Sequence, residues 1–402
     1  MATLSVVIPA YNEEDSIAAV VERVLAVRGP LATVGMDLEL IVVDDGSTDG
    51  TAEIARHCDR VTLACHGRNA GYGAALKTGF ALAQGDWLGF LDADGTYPPE
   101  HFPQLCQAAL EHEADLVVGS RRSGAECEMP LVRRVGNLLW SNLVTLVGNH
   151  RVADPASGMR VIRREALPRL YPLPDGLNFT PVMSTRAIHE GLKMVEVPIP
   201  YHERVGHSKL SVVGDGTRFL QSIVWTALMY NPVRVFGGLG ALAVLLALLV
   251  AATMFLFGLR GGAQAWPAFR LFVILVLVVG GVNLFSVGTL FNYLVSLFHK
   301  RPVRQGLLGK PLFKTPLERN FIWMGLVAII LGGLFALAAI REGLTLPPSP
   351  AYPFYLLTSG MLLLTGLQLI LSWILVLVLA ELSQREIRVR NDMGGAVREA
   401  GG

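Results

Sequence analysis

The sequence predicts two parts in one chain: an α/β domain of nucleotide-binding type, followed by a region of four membrane-crossing helices. Three observations predict this. Only 17% of the 402 residues are charged, against roughly 25% in an average soluble domain. The charges are segregated, with 20 Lys/Arg and 27 Asp/Glu in residues 1–231 and 14 against 6 in the remainder. Short β-branched runs alternate with helical patterns in the acidic part, while long apolar stretches fill the basic part. A disordered polymer, a collagen and a nucleic-acid-binding polycation are excluded by that composition.

In the acidic part, residues 6–9, 38–43, 87–91 and 115–119 are short apolar runs rich in β-branched or aromatic residues, the pattern of buried strands. Helical patterns over 16–27, 50–58, 73–83 and 99–112 lie between them. The alternation predicts a largely parallel sheet whose ligands bind beyond the carboxyl ends of the strands. Polar residues gather at those ends: Pro9-Ala10-Tyr11-Asn12-Glu13, then Asp44-Asp45-Gly46-Ser47, then Asp92-Ala93-Asp94. Singly, each has a plain structural reading as a turn or an N-cap approach. Two carboxylates one residue apart at a strand end crowd like charges, however, and a divalent cation relieves that crowding. Oxygen ligands suit Mg²⁺ or Mn²⁺.

In the basic part, apolar runs at 235–257, 271–298, 321–340 and 354–380 each reach the roughly 20 residues needed to cross a bilayer core. The 299–319 connection carries Lys300, Arg301, Arg304, Lys310, Lys314 and Arg319, and the tail carries Arg385, Arg388, Arg390 and Arg398. By the positive-inside rule both are cytoplasmic. Residues 217–230, closed by Asn231-Pro232, have the spacing of an interfacial helix, with a core helix of the first domain as the alternative. The expected organisation is a cytosolic domain over 1–210, a juxtamembrane helix over 211–232, a membrane region over 233–382 and a basic cytoplasmic tail over 383–402. In the second span Asn283, Ser286, Thr289 and Asn292 recur every three residues, a pattern of helix-to-helix hydrogen bonding or of a groove for a lipid head group.

Cys58, Cys65, Cys106 and Cys127 show neither CxxC nor Cys/His ligand spacing, which fits a reduced compartment. The start Met-Ala-Thr-Leu-Ser has no basic n-region, and its apolar run stops at Pro9, so no signal peptide is visible.

As an ordered set the motifs resemble the family 2 glycosyltransferases of the GT-A fold, in particular the dolichol-phosphate mannose synthase-like polyprenyl-phosphate sugar transferases. The resemblance covers about residues 3–232. It is carried by Val6-Val7-Ile8-Pro9-Ala10-Tyr11-Asn12-Glu13-Glu14, by Val42 to Thr51, by Asn69-Ala70-Gly71-Tyr72-Gly73, by Asp92-Ala93-Asp94 and by Gly119-Ser120-Arg121. Asp154-Pro155-Ala156-Ser157-Gly158 and Arg204 to Leu210 complete the set. The resemblance implies that Pro9, Tyr11, Glu13, Val43 and Asp45 hold the nucleoside of a nucleotide diphosphate sugar, and that Asp92, Ala93 and Asp94 hold its diphosphate with Mg²⁺ or Mn²⁺. It implies further that Arg204 and Lys209 approach the donor phosphates, and that Arg121 and Arg133, with Asn137, grip the phosphate of a polyprenyl phosphate. Asp94 and Arg204 are the expected catalytic residues.

The chain departs from the mannose synthases in three places. Thr96 stands where they carry a Gln metal ligand, Asn137 where they carry Ser, and Phe179-Thr180-Pro181-Val182-Met183 replaces a Phe-x-x-Glu-type segment, so mannose is not implied as the sugar. The expected activity is transfer of one sugar to the lipid phosphate at the bilayer surface, without nucleic acid and with the oligomeric state open. The alternatives are a processive polysaccharide synthase, against which the absence of a Gln-x-x-Arg-Trp segment speaks, and a catalytically silent membrane scaffold. A phosphate monoester with a second pKa of about 6 is already largely dianionic at neutral pH, so no dedicated base is required and His202, His207 and Asp154 are expected to be structural.

Overall fold

The computed structural model describes residues 1–121, 136–138, 140–142, 144–145, 152–202, 212–259, 268–299, 317–344 and 352–399. Among these the chain forms two compact units, Met1–Thr226 and Ala227–Gly402.

The first unit is built on a seven-stranded sheet. Its strands are β1 (Ala2–Ala10), β2 (Met36–Asp44), β3 (Thr62–Cys65), β4 (Trp87–Phe90), β5 (Leu116–Ser120), β6 (Arg160–Arg163) and β7 (Met194–Pro198), in the order β3-β2-β1-β4-β6-β5-β7. β1 pairs in parallel with β2, from Ala2 opposite Met36 to Ala10 opposite Asp44, and with β4 on its other side. The order reverses at β1, so the crevice for a ligand opens between the carboxyl ends of β1 and β4.

Both faces of the sheet are covered, which explains why its strands are continuous apolar runs rather than alternating ones. Val6, Ile8 and Val42 pack on one side with helices α1 (Ile17–Ala26) and α5 (Phe102–Glu111). Val7, Ile41 and Val43 pack on the other with α4 (Tyr72–Leu82) and α6 (Phe179–Glu190). α1 buries Ile17, Val20, Val21 and Val24, a single apolar stripe at helical spacing. Two short helices, α2 (Arg28–Thr33) and α3 (Thr51–Arg56), complete the layers.

The sheet is less parallel than the alternation predicts. β6 runs antiparallel to both of its neighbours, β4 and β5. Its chain leaves the rim at Gly158 and runs away from it, whereas the other strands arrive there, so Phe90 at the end of β4 faces Arg160 at the start of β6.

α7 (Val212–Tyr230) follows. Ile223 is buried against Val144 and Val152, and Asn178 Nδ2 donates to Ser222 Oγ at 2.5 Å. Leu220 and Trp225 are exposed, so the helix combines a packed side with an uncovered apolar one.

In the second unit, α8 (Pro232–Leu259), α9 (Ala268–His299), α10 (Phe321–Gly343, with the 3₁₀ turn Leu317–Asn320 before it) and α11 (Tyr352–Glu399) carry four stretches long and apolar enough to cross a membrane: Pro232–Leu256, Phe269–Phe298, Leu317–Gly343 and Tyr352–Leu382. Leu245, Leu248, Phe255, Ile330, Leu337 and Leu364 lie exposed on them, as suits side chains whose solvent is lipid. The protein is an integral membrane protein. Pro232 opens α8 as a first-turn proline, where its missing N–H is not needed. Helices pair through glycine: a Cβ on Gly240 would lie 2.5 Å from the Gly281 carbonyl oxygen, and one on Gly366 would lie 2.7 Å from that of Gly325. α11 continues beyond its apolar stretch through Glu399, over residues expected to form a basic tail.

Candidate active site

The loops after β1 and β2 are stitched together at the rim. Asn12, at a φ of 52°, donates its N–H to Ser47 Oγ at 2.9 Å and accepts from Thr48 N–H at 2.8 Å. The Glu13 N–H reaches Thr51 Oγ1 at 2.8 Å, and Glu14 accepts from Gly50 N–H. Ser16 ties this corner to the next strand end by donating to the Ala93 carbonyl at 2.7 Å. Pro9 lies opposite Val43 in the β1–β2 ladder, and Tyr11 and Glu13 are half-buried. Sequence spacing thus brought Pro9, Tyr11, Glu13, Val43, Asp45 and Ala93 to one rim.

Asp45 is buried and organises the glycine loop. Its Oδ1 accepts from Ala70 N–H at 2.9 Å and from His66 Nδ1 at 2.7 Å, and its Oδ2 accepts from Gly71 N–H at 2.8 Å. His66 also meets Thr78 Oγ1 at 2.9 Å through Nε2. Gly71 has a φ of +107°, which a side chain rarely adopts, and a Cβ there would lie 2.5 Å from the Asp175 carbonyl oxygen. That carbonyl accepts from Gly73 N–H at 2.7 Å and so satisfies the start of α4. His66 was not singled out from sequence, because its partners lie 21 and 12 positions away.

Asp92 and Asp94 follow β4. Asp92 Oδ1 accepts from the Tyr72 hydroxyl at 2.8 Å, and Asp94 Oδ1 accepts from the Thr96 hydroxyl at 2.6 Å. Thr96 therefore turns its oxygen toward Asp94 itself. Gly158 lies against Asp92: a Cβ there would lie 2.5 Å from Oδ2, so only glycine leaves room for the carboxylate. Among the described residues no three His, Cys, Asp or Glu side chains form a metal-binding group. Two carboxylates one residue apart in the chain, Asp92 with room left for it by Gly158, nevertheless have the hard oxygen chemistry that suits Mg²⁺ or Mn²⁺, whose remaining positions suit phosphate oxygens and water.

Arg121 stands at the end of β5 with Asp154 as its counter-ion. Nε and Nη2 each donate to one Asp154 oxygen at 2.7 Å, and the Arg121 N–H adds a contact at 3.1 Å. Its guanidinium lies over Tyr97 at 5.8 Å and Tyr201 at 5.3 Å. Asn137 Nδ2 donates to the same Asp154 at 2.9 Å. Two of the residues expected to meet the acceptor phosphate thus converge on one buried carboxylate. Burial disfavours the charge of Asp154, but Arg121 and the hydrogen bonds outweigh it and hold the carboxyl below the ordinary aspartate range. Arg160, fully buried, shapes the 154–158 turn by donating to the Pro155 and Ser157 carbonyls. Burial pulls its guanidinium down to about 10. Arg133, Arg204 and Lys209 lie outside the described residues.

Residues 5–170 match the glycosyl transferase family 2 model, and residues 232–390 match DUF8752, a domain of unknown function. An undecaprenyl-phosphate 4-deoxy-4-formamido-L-arabinose transferase of Pectobacterium carotovorum is 30% identical over 314 residues, covering 73% of this chain and 89% of the relative. The chain belongs to glycosyltransferase family 2. Another similar protein is the low-salt glycan biosynthesis hexosyltransferase Agl6 of Haloferax volcanii, 34% identical over 251 residues. That match covers 61% of this chain and spans 59% of Agl6. Among solved structures, glucosyl-3-phosphoglycerate synthase of Mycobacterium tuberculosis with Mn²⁺ and UDP is 26% identical, covers 56% of this chain and 80% of its own, and gives a TM-score of 0.45. As a family 2 member, the protein is a glycosyltransferase.

Proposed function

We propose that the protein transfers one sugar, with inversion, from a nucleotide diphosphate sugar to a polyprenyl phosphate at the membrane surface. The observation that carries this is the likeness to an undecaprenyl-phosphate sugar transferase over 89% of that relative's length, in a chain with four membrane-crossing helices. The nucleoside lies along Pro9, Tyr11, Glu13, Val43 and Asp45. Asp92 and Asp94 would hold Mg²⁺ or Mn²⁺, with Ala93 beside the diphosphate. When bound, that ion offsets the negative charge that develops as the nucleoside diphosphate departs.

The chain's own residues do the rest. Arg121 orients the acceptor phosphate with the nitrogen not engaged by Asp154, helped by Asn137 and Arg133. A phosphate oxygen then attacks the anomeric carbon as the bond to the diphosphate breaks. Arg204 and Lys209 add positive charge at the leaving group. Since the acceptor is already largely ionised at neutral pH, Asp154 takes no proton. It is committed to Arg121 at 2.7 Å, consistent with a positioning role.

The basic 299–319 connection and the tail support a cytoplasmic side for the catalytic unit and the carboxyl end, and the exposed Leu220 and Trp225 of α7 suit the bilayer interface.

The test is incubation of membranes containing the protein with undecaprenyl phosphate and a panel of radiolabelled nucleotide sugars, followed by extraction of the lipid phase. Label is expected in the lipid phase with at least one donor. It should be abolished by chelator, restored by Mg²⁺ or Mn²⁺, and reduced by a factor of about 100 or more in Asp94→Ala. Absence of lipid-linked label across the panel would refute the acceptor assignment.

A further inference from the structure

Building on the reading of Asp92 and Asp94 as holders of a divalent ion, we infer that Tyr72 and Thr96 are positioning residues that fix those two carboxylates for the ion. Each acid receives a hydroxyl on its Oδ1, Asp92 from Tyr72 at 2.8 Å and Asp94 from Thr96 at 2.6 Å. The two hydroxyls come from different elements, the first residue of α4 and the loop after β4.

Both donors are themselves held. The Tyr72 ring meets Phe179 edge-on, with centroids 6.4 Å apart, and the adjoining Gly71 and Ala70 N–H groups are gripped by Asp45. Thr96 is 1% exposed; its N–H reaches Asp94 Oδ1 at 3.2 Å and its carbonyl accepts from His202 N–H at 3.1 Å. A phenol is un-ionised at neutral pH, so the Tyr72 hydroxyl has a proton to donate to Asp92.

A neutral hydroxyl is suited to this task. It fixes the rotamer of a carboxylate and occupies one lone pair, and it leaves the negative charge available to a cation, which an arginine in the same place would neutralise. The same loop ties Asp45, on the nucleoside side, to Asp92, on the diphosphate side, through Gly71 and Tyr72.

The test measures Mn²⁺ affinity of the full-length, detergent-solubilised protein from the loss of the free-ion paramagnetic resonance signal, with Mn²⁺ alone and with UDP or GDP. The condition in which wild type binds tightest is used for all variants. Tyr72→Phe and Thr96→Val should each weaken Mn²⁺ binding by a factor of about 10 or more, as loss of a carboxylate's outer partner does at other metal sites. Thr96→Ser, which keeps the hydroxyl, should retain wild-type affinity. In turnover, the two hydroxyl-deleting variants should raise the Mn²⁺ concentration for half-maximal rate while leaving the acceptor KM unchanged. Wild-type affinity in folded Tyr72→Phe and Thr96→Val would overturn the inference alone. Wild-type protein that binds no Mn²⁺ in any condition would overturn the underlying metal reading, and the inference with it.

Discussion

Asp154 shows how a single side chain carries consequences for both stability and pH response. It is fully buried, and Arg121 is its counter-ion through two bonds of 2.7 Å. Replacing it by Asn leaves a buried guanidinium without a negative partner, a change that costs about 3–5 kcal/mol where such pairs have been broken. Because the folded carboxyl is held below its ordinary value, the pair's contribution is complete above the unfolded aspartate pKa of about 3.9. It is lost as the pH falls through the folded value, since the unfolded state then binds a proton that the folded state resists. Asp154→Asn should therefore melt well below wild type near neutrality, with the gap narrowing below about pH 4, as thermal melts across pH would register. A constant gap would place the stabilisation elsewhere. At this scale the sequence revealed the acids and concealed their partners. Asp45, Asp92 and Asp94 sit at strand ends that apolar periodicity locates. The Tyr72 donor lies 20 positions before Asp92, and Asp154 lies 33 beyond Arg121, separations that only the completed sheet brings together.

Among the elements, those with long or strongly patterned apolar runs were legible. The four spans begin and end within a few residues of the apolar stretches, because hydropathy and bilayer thickness set them together. β3, β6 and β7 were not legible. They are four or five residues long, and β6 is bounded by Arg160 and Arg163, so no alternation develops. The pairing of α8 with α9 is equally hidden in composition, since Gly280 and Gly281 look alike in sequence. They differ in space: a Cβ on Gly281 meets the Gly240 carbonyl oxygen at 2.7 Å, whereas one on Gly280 meets nothing within 4 Å. Gly281→Val should lower the melting temperature in detergent by several degrees, as overpacking costs about 1–3 kcal/mol, and Gly280→Val should change it little. Equal shifts would show that helix propensity, not the close approach, governs this position.

For the whole molecule, the division into an acidic catalytic unit and a basic membrane unit was written in charge placement, and the family in the order of its motifs. The sugar was not, because no stretch of sequence shows which side chains face it. Orientation is open to direct measurement. Single cysteines placed at 306 and 389 in a cysteine-free background should react with a membrane-impermeant maleimide only after the membrane is opened, while one at 347 should react in intact cells. Labelling of 389 in intact cells would reverse the topology argued from Lys300, Arg301, Arg304 and the tail arginines.

The antiparallel β6 also bears on how the catalytic unit is made. β6 occupies the place between β4 and β5, although it follows both in the chain. As the polypeptide emerges from the ribosome, β1 to β4 can assemble in order, but β4 keeps a bare edge and β5 has no neighbour until residue 163 has been synthesised. Short, buried and flanked by arginine, β6 is the keystone of the sheet, and a chain interrupted before it would present an open strand edge to whatever is nearby.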